Sequence, residues 1–171
     1  MNTRFLKAIV ILPGTALVYV PATLLWLFQD TAYAARFPPD SLILWLIAVV
    51  LGSQGLILMV WTTRLFAAAE GGGTPAPWDP INKLIVTGPY RHMRNPMLSG
   101  VILALGAEAA LLTSVPIFVW MLVFLLVNTV YFSLSEEPQL EKRYGAAYRD
   151  YKNKVPRWMP RLDPYVGPSA E

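Results

Sequence analysis

The chain has 171 residues, 55% of them hydrophobic and only 15% charged, a balance too apolar for an ordinary soluble domain built on one core. The length leaves no room for a second domain beside a few membrane-crossing segments, and the lack of cysteine excludes disulfides, zinc-thiolate sites and a cysteine nucleophile. The net charge of +3 matters less than where the charges fall.

In chain order, residues 6–28 form a first apolar segment long enough to cross a bilayer, which takes about 20 apolar residues. Pro13 and Pro21 interrupt it, which spanning helices tolerate when neighbouring groups take up the freed backbone partners. The basic start at Arg4 and Lys7 with Ala32-Tyr33-Ala34 imitates a cleaved leader. The apolar run exceeds the roughly 7–15 residues of a leader core, so a retained span is expected. A second span covers 42–63, capped by Ser41 or Asp40. Residues 67–90 then turn polar and loop-like, with three consecutive glycines and several prolines.

The third span covers 97–112 and the fourth 117–134, joined only by Thr113-Ser114-Val115-Pro116, so the two form an antiparallel hairpin. After Glu136-Glu137-Pro138 the pattern becomes an amphipathic helix. Leu140, Tyr144, Tyr148, Tyr151 and Val155 recur at helical spacing with Lys and Arg between them, which suits a helix lying on the membrane surface. The expected fold is an all-α integral membrane protein of one domain over 1–171, with four crossings and this C-terminal amphipathic helix. Of the 14 Lys and Arg, all but Arg36 fall on one side of that arrangement. That side is expected to be cytoplasmic, with both termini on it.

Asn95 followed by Pro96 predicts a helix start, with asparagine capping free N–H groups and proline at the first helical position. Arg91, His92 and Arg94 add cationic groups to the positive end of that helix, a place suited to a carboxylate, phosphate or nucleotide. Arginines beside a span also serve simply as headgroup anchors. With the hairpin turn centred near Ser114, Pro96 is expected level with about Phe132 on the returning helix, and one turn further brings Glu136 and Glu137 beside this helix start. Pro138 is expected to break the helix at Glu137. A carboxylate pair there needs partners, supplied either by a ligand or by Arg91 or Arg94 as a structural clamp.

Gly88-Pro89-Tyr90, Arg94-Asn95-Pro96-Met97, Gly100, Glu136-Glu137, Tyr144-Gly145, Tyr148, Tyr151 and Val155-Pro156-Arg157-Trp158 with Pro160 form an ordered set. In these motifs the chain resembles the integral-membrane methyltransferases that include isoprenylcysteine carboxyl methyltransferase and phosphatidylethanolamine N-methyltransferase. The resemblance covers about half the chain, from Gly71 to the Pro160 region. Gly71–Pro77 with Asp79-Pro80 looks like the loop preceding the motif in bacterial members. It implies S-adenosylmethionine as cofactor, entering from the cytoplasm, and an amphiphilic lipid-like or prenylated acceptor entering from the bilayer. Neither a metal nor a nucleic acid is among the partners it implies. The cofactor contacts it implies are Tyr90, Arg94, Asn95, Pro96, Met97, Gly100, Glu136, Glu137 and Tyr148. Asn95 stands where many members have histidine, and Leu98 where a tyrosine is usual.

In-line methyl transfer needs aligned reactants more than an acid or base. Glu136 or Glu137 would hold the amino group or ribose hydroxyls of the cofactor or attract its sulfonium, and Glu137 would serve an amine acceptor as counterion and proton sink. Arg157 would grip a carboxylate acceptor, or else face phospholipid. Tyr144, Tyr148 and Tyr151 either stack on adenine or pack. Glu108, inside the third span, is read as a charge paired or reaching to the outer interface. Substituting Glu136 or Glu137 by alanine is expected to weaken cofactor binding and leave expression intact. The alternatives are a membrane reductase of the sterol-reductase-like type using NADPH, for which the acidic pair and the short chain are unsuited, and a non-catalytic membrane scaffold.

Overall fold

The computed structural model describes residues 13–68 and 84–167. The beginning of the first expected span and the glycine-rich loop at 71–80 lie outside the described residues. Among those described, the regular elements are all helices, with no strand. In order come α1 (Thr15–Phe28), α2 (Leu42–Ala68), a short 3₁₀ turn (Gly88–Arg91), α3 (Pro96–Leu111), α4 (Val115–Tyr131) and α5 (Glu137–Lys154).

Ser41 caps α2 as the sequence suggests, its Oγ accepting from the Ile43 N–H at 3.2 Å. α2 then runs to Ala68, past the expected end at 63, because Leu65 and Phe66 continue the apolar pattern beyond Arg64. At 27 residues it is about 40 Å long, more than a hydrocarbon core needs. α2 and the continuous α4–α5 helix are each long and apolar enough to cross a membrane. α3, with 16 residues, reaches about 24 Å, short of the roughly 30 Å core on its own.

The hairpin forms at the expected place. α3 ends at Leu111, Thr113 takes a positive φ of 45°, and Ser114 starts α4 by accepting from the Ile117 N–H at 3.4 Å. The Arg36 N–H donates to the Leu112 carbonyl at 2.8 Å, tying the α1–α2 connection to the hairpin tip. Ala16, Val101, Leu105, Ala109 and Ile117 make the apolar centre, flanked by Trp120 and Phe124. The Trp120 indole N–H reaches the Ala16 carbonyl at 3.0 Å. α2 crosses α3 at a glycine pair. A Cβ on Gly55 would stand 2.7 Å from the Gly100 carbonyl, and one on Gly100 would stand 2.9 Å from the Gly55 carbonyl. Backbone-to-backbone approach of this kind is how helices associate in lipid, where apolar side chains gain nothing by leaving the acyl chains. Outward, α2 and α4 present rows of large apolar side chains, among them Leu46, Val49, Leu56, Phe118, Leu122 and Leu126, a surface matched to lipid rather than water.

Two widened turns accommodate prolines. Residues Thr15–Tyr19 and Phe132–Glu136 are π-helical, with the Val20 N–H bonded to the Thr15 carbonyl and the Glu137 N–H to the Phe132 carbonyl. Pro21 and Pro138 follow immediately. A proline inside a helix lacks an N–H and crowds the carbonyl four residues back, and one inserted residue relieves that conflict. The break expected at Glu137 therefore does not occur: Glu137 is helical, with φ −61° and ψ −42°. The inserted residue instead rotates the following helical face by about 100°. The real break is at Gly145, whose φ of 59° and ψ of −130° lie where a side chain is disfavoured.

Beyond that break, Tyr148, Tyr151, Val155 and Tyr165 form a second buried cluster with Leu84, Val86, Leu140 and Tyr144 around it. Residues 155–165 run back as a strap over residues 90–95. Arg94 and Asn95 donate their N–H groups to the carbonyls of Pro156 and Arg157 at 2.9 and 3.3 Å, and Arg161 and Tyr165 donate theirs to His92 and Arg91 at 3.0 and 2.8 Å.

Candidate functional site

The strap, the start of α3 and the start of α5 meet at one point. There the Glu137 carboxylate is 3% exposed. Its Oε1 accepts from Arg94 at 2.6 Å and from Arg157 at 2.5 and 3.0 Å, while Oε2 pairs with Lys152 at 3.1 Å. Burial alone would raise this carboxyl. Hydrogen bonds from Arg157 and Lys152 and the charge of Arg94 outweigh it and hold the group below the ordinary carboxylate range. Lys152 also reaches Glu141 at 2.6 Å.

Every nitrogen of the Arg157 guanidinium is engaged within the chain. Nε and NH2 serve Glu137, and NH1 reaches the Thr129 carbonyl at 3.0 Å and the Ser133 hydroxyl at 2.7 Å. Arg157 therefore pins the end of α4, the start of α5 and the strap together. The clamp foreseen for Arg91 or Arg94 exists, with Arg94 and Arg157 in it. Arg91 instead donates from Nε to the Tyr165 carbonyl at 2.8 Å.

Because Glu137 has a folded-state pKa below its unfolded value, its stabilising contribution is complete above about 4.3, the ordinary glutamate value. It is lost as pH falls through the lower, folded value. Protein in lipid nanodiscs should therefore keep its thermal stability down to about pH 5 and lose it progressively below about pH 4. Glu137→Gln should start less stable and lose less over the same acid range; an identical acid profile in the variant would refute this assignment.

Among the described residues, four polar side-chain atoms in this region are buried with no hydrogen-bond partner: Arg94 Nε, Asn95 Nδ2, Ser99 Oγ and Trp158 Nε1. Asn95 does not cap α3 with its side chain, contrary to the sequence expectation. The strap passes over this turn and takes the Arg94 and Asn95 N–H groups on its own carbonyls, leaving the side-chain amide turned into the protein. Pro96 does occupy the first turn of α3. Asn95 and Ser99 lie one helical turn apart and so share a face. Buried polar groups without partners are rare and ask for an explanation. Three donors and a hydroxyl at a helix N-terminus suit an acceptor-rich ligand.

Glu136 is half-buried and makes no hydrogen bond or ion pair among the described residues. Burial raises its carboxyl above the ordinary range. It lies close enough to Tyr90 to act on that phenol, whose pKa is raised by burial, Tyr151 and Glu136 in that order. The Tyr151 hydroxyl in turn donates to the Tyr90 carbonyl at 2.7 Å. Tyr148, 3% exposed, packs beside Tyr151 with ring centroids 6.2 Å apart, and burial raises its phenol above the ordinary range. Tyr148 and Tyr151 are packed into the second apolar cluster.

Of the residues singled out in the sequence, Arg94, Asn95, Pro96, Glu137, Tyr148 and Arg157 come together, with Tyr90 and Glu136 adjoining. Gly100 is turned to α2, where Gly55 and Met59 fill the space at its Cα. Met97 is partly exposed on the first turn of α3. Ser99, Lys152 and Trp158 were not among the sequence-derived site residues. Ser99 was findable from its four-residue spacing to Asn95; Lys152 was not, since the Gly145 break decides which face of α5 returns to Glu137. Glu108 makes no ion pair among the described residues.

Among the described residues, two helices long and apolar enough to cross a membrane accompany a buried charge cluster where α3, α5 and the strap meet. Residues 44–147 match the family model described as phospholipid methyltransferase, and the chain belongs to that family. It is also similar to methanethiol S-methyltransferase 2 of Bradyrhizobium diazoefficiens, 36% identical over 76 residues. That match covers 43% of this chain and 27% of the relative, so the chain spans well under half the length of the curated relative it matches. No solved structure matches it.

Proposed function

We propose that the chain transfers a methyl group from S-adenosylmethionine to an amphiphilic, lipid-like acceptor at the cytoplasmic face of the membrane. The observation that carries this reading is the set of four buried polar atoms at the start of α3 that have no partner among the described residues, beside a carboxylate, Glu136, that makes no hydrogen bond or ion pair among them either. The set fits the methyl donor chemically. Arg94 Nε, Asn95 Nδ2 and Trp158 Nε1 would donate to its carboxylate or ring nitrogens, Ser99 Oγ to either, and Glu136 would accept from its ammonium or ribose hydroxyls.

When bound, S-adenosylmethionine supplies a methyl group on a cationic sulfur. The chain's own residues hold, orient and exclude water. Glu137, neutralised by Arg94, Arg157 and Lys152, fixes the strap over the helix start, so that Asn95 and Trp158 are positioned before any ligand arrives. With Arg157 engaged on all its nitrogens, its foreseen grip on a carboxylate acceptor would require breaking this clamp, so we assign it to positioning. Tyr90 and Tyr148 wall the site, and Met97 and Pro96 supply its apolar side.

The same reading has four crossings, with α1 and α3 as the shorter two, one domain, cytoplasmic termini and a location in the inner, cytoplasmic membrane. The distribution of Lys and Arg supports that orientation, and the apolar outward faces supply the route for a lipid acceptor. Family membership favours methyl transfer over the reductase and scaffold alternatives.

Calorimetry in nanodiscs tests the donor. S-adenosylmethionine and its demethylated product should bind with a 1:1 heat and NADPH should give none. NADPH binding without S-adenosylmethionine binding would overturn the proposal. The acceptor would then be found by mass spectrometry of lipids from cells fed a labelled methyl donor, with and without the protein.

A further inference from the structure

The face of α2 turned away from α3 carries Ile47, Val50, Gln54, Ile57, Trp61 and Arg64, all exposed. They alternate at spacings of three and four residues, the seam pattern of paired helices. In lipid an apolar stripe by itself says nothing, since acyl chains cover it as well as another helix would. Gln54 is the informative residue. It stands about 18 Å along α2 from Leu42, close to mid-membrane in the proposed orientation. Its amide makes no hydrogen bond among the described residues. The neighbouring Ser53 hydroxyl, by contrast, returns to the Val50 carbonyl at 3.0 Å. An amide facing hydrocarbon without a partner is costly.

We propose that this face of α2 is a parallel homodimer interface, in which Gln54 pairs with Gln54 of a second copy. A side-chain amide has both a donor and an acceptor, so two related by a two-fold axis satisfy each other. Two copies inserted in the same sense place their Gln54 residues at the same depth, and one polar residue in an apolar seam fixes register. One turn further along α2, a groove of about 400 Å³ lined by Leu56, Ile57, Val60, Trp61 and Arg64 receives the partner's apolar side chains. Arg64 lies at the groove's cytoplasmic end, where the two guanidinium groups splay to lipid phosphates. None of these residues belongs to the methyl-transfer site, so the dimer and the chemistry stand or fall separately.

Because the chain has no cysteine, single cysteines report the interface cleanly. In full-length protein in lipid vesicles, Ile57→Cys and Val50→Cys should form covalent dimers on mild oxidation, and Val123→Cys, exposed on α4, should not. Adding Gln54→Leu to Ile57→Cys should lower dimerisation about tenfold at limiting protein-to-lipid ratio, while donor binding stays unchanged. Should the leucine variant fail to fold, Gln54→Ala reads the same loss. Equal cross-linking from Val123→Cys, dimers indifferent to Gln54, or monomers carrying a lipid in the groove by native mass spectrometry would each overturn the proposal.

Discussion

Glu137→Ala should destabilise the chain by about 3–5 kcal/mol, the usual cost of leaving buried charges without their counterion. Arg94 and Arg157 have side chains only 12% and 16% exposed, and both would keep their charge with no carboxylate to face. Lys152, at 35%, can turn to water and still hold Glu141. The sequence alone suggests a variant that folds and merely binds donor poorly; the cluster revises that expectation, because Glu137 joins α3, α5 and the strap. Chemical or thermal unfolding in nanodiscs measures the loss. The double variant Glu137→Leu with Arg157→Leu should recover part of it. A single variant as stable as the parent would show that the three cations are already solvated and the clamp carries nothing.

Gly55→Leu should be nearly as damaging, and for a different reason. Its first added atom would meet the Gly100 carbonyl at 2.7 Å and the Ala104 nitrogen at 3.0 Å. Both are backbone atoms that cannot swing aside, so α2 must separate from α3. Overpacking a close crossing costs about 1–3 kcal/mol even for small additions, and a leucine adds far more than a methyl. The expected readout is loss of folded protein after extraction, with Gly52→Ala as the mild control, since its Cβ meets only the Ala107 Cβ at 3.4 Å. Equal yields for the two would mean that the crossing is looser than these distances require.

Much of the architecture is legible in residue patterns. Ser41 before an apolar run, Asn95-Pro96 at a helix start and the four-residue connection at Thr113–Pro116 each fix a boundary by local chemistry, and the structure puts helix ends there. The meeting of Glu137 with Arg94 follows from counting along two antiparallel helices of similar length. What could not be read was set by backbone geometry. Pro138 breaks a helix by rule, yet a widened turn at Phe132–Glu136 absorbs it, and no residue type announces such a turn in advance. Gly145 gives no hint that it alone interrupts α5, so the return of Lys152 and Tyr148 to the acidic residue was hidden. The capping role foreseen for Asn95 failed because its side-chain amide is buried under a strap from sixty residues further along, whose carbonyls hold the Arg94 and Asn95 N–H groups, rather than turned to the first N–H groups of α3. Tertiary contacts outrank local preference at this one point, and the unpartnered atoms collect there as well.

The most direct test of the account is calorimetric titration of S-adenosylmethionine into the full chain and into Asn95→Ala and Ser99→Ala, in nanodiscs. Each substitution removes one uncommitted polar group and touches neither the Glu137 cluster nor the α2–α3 crossing. Affinity should fall about tenfold in each, the loss of one buried hydrogen bond to a charged or strongly polar ligand, with unfolding unchanged. Binding of equal strength in all three proteins would contradict it and place the methyl donor elsewhere.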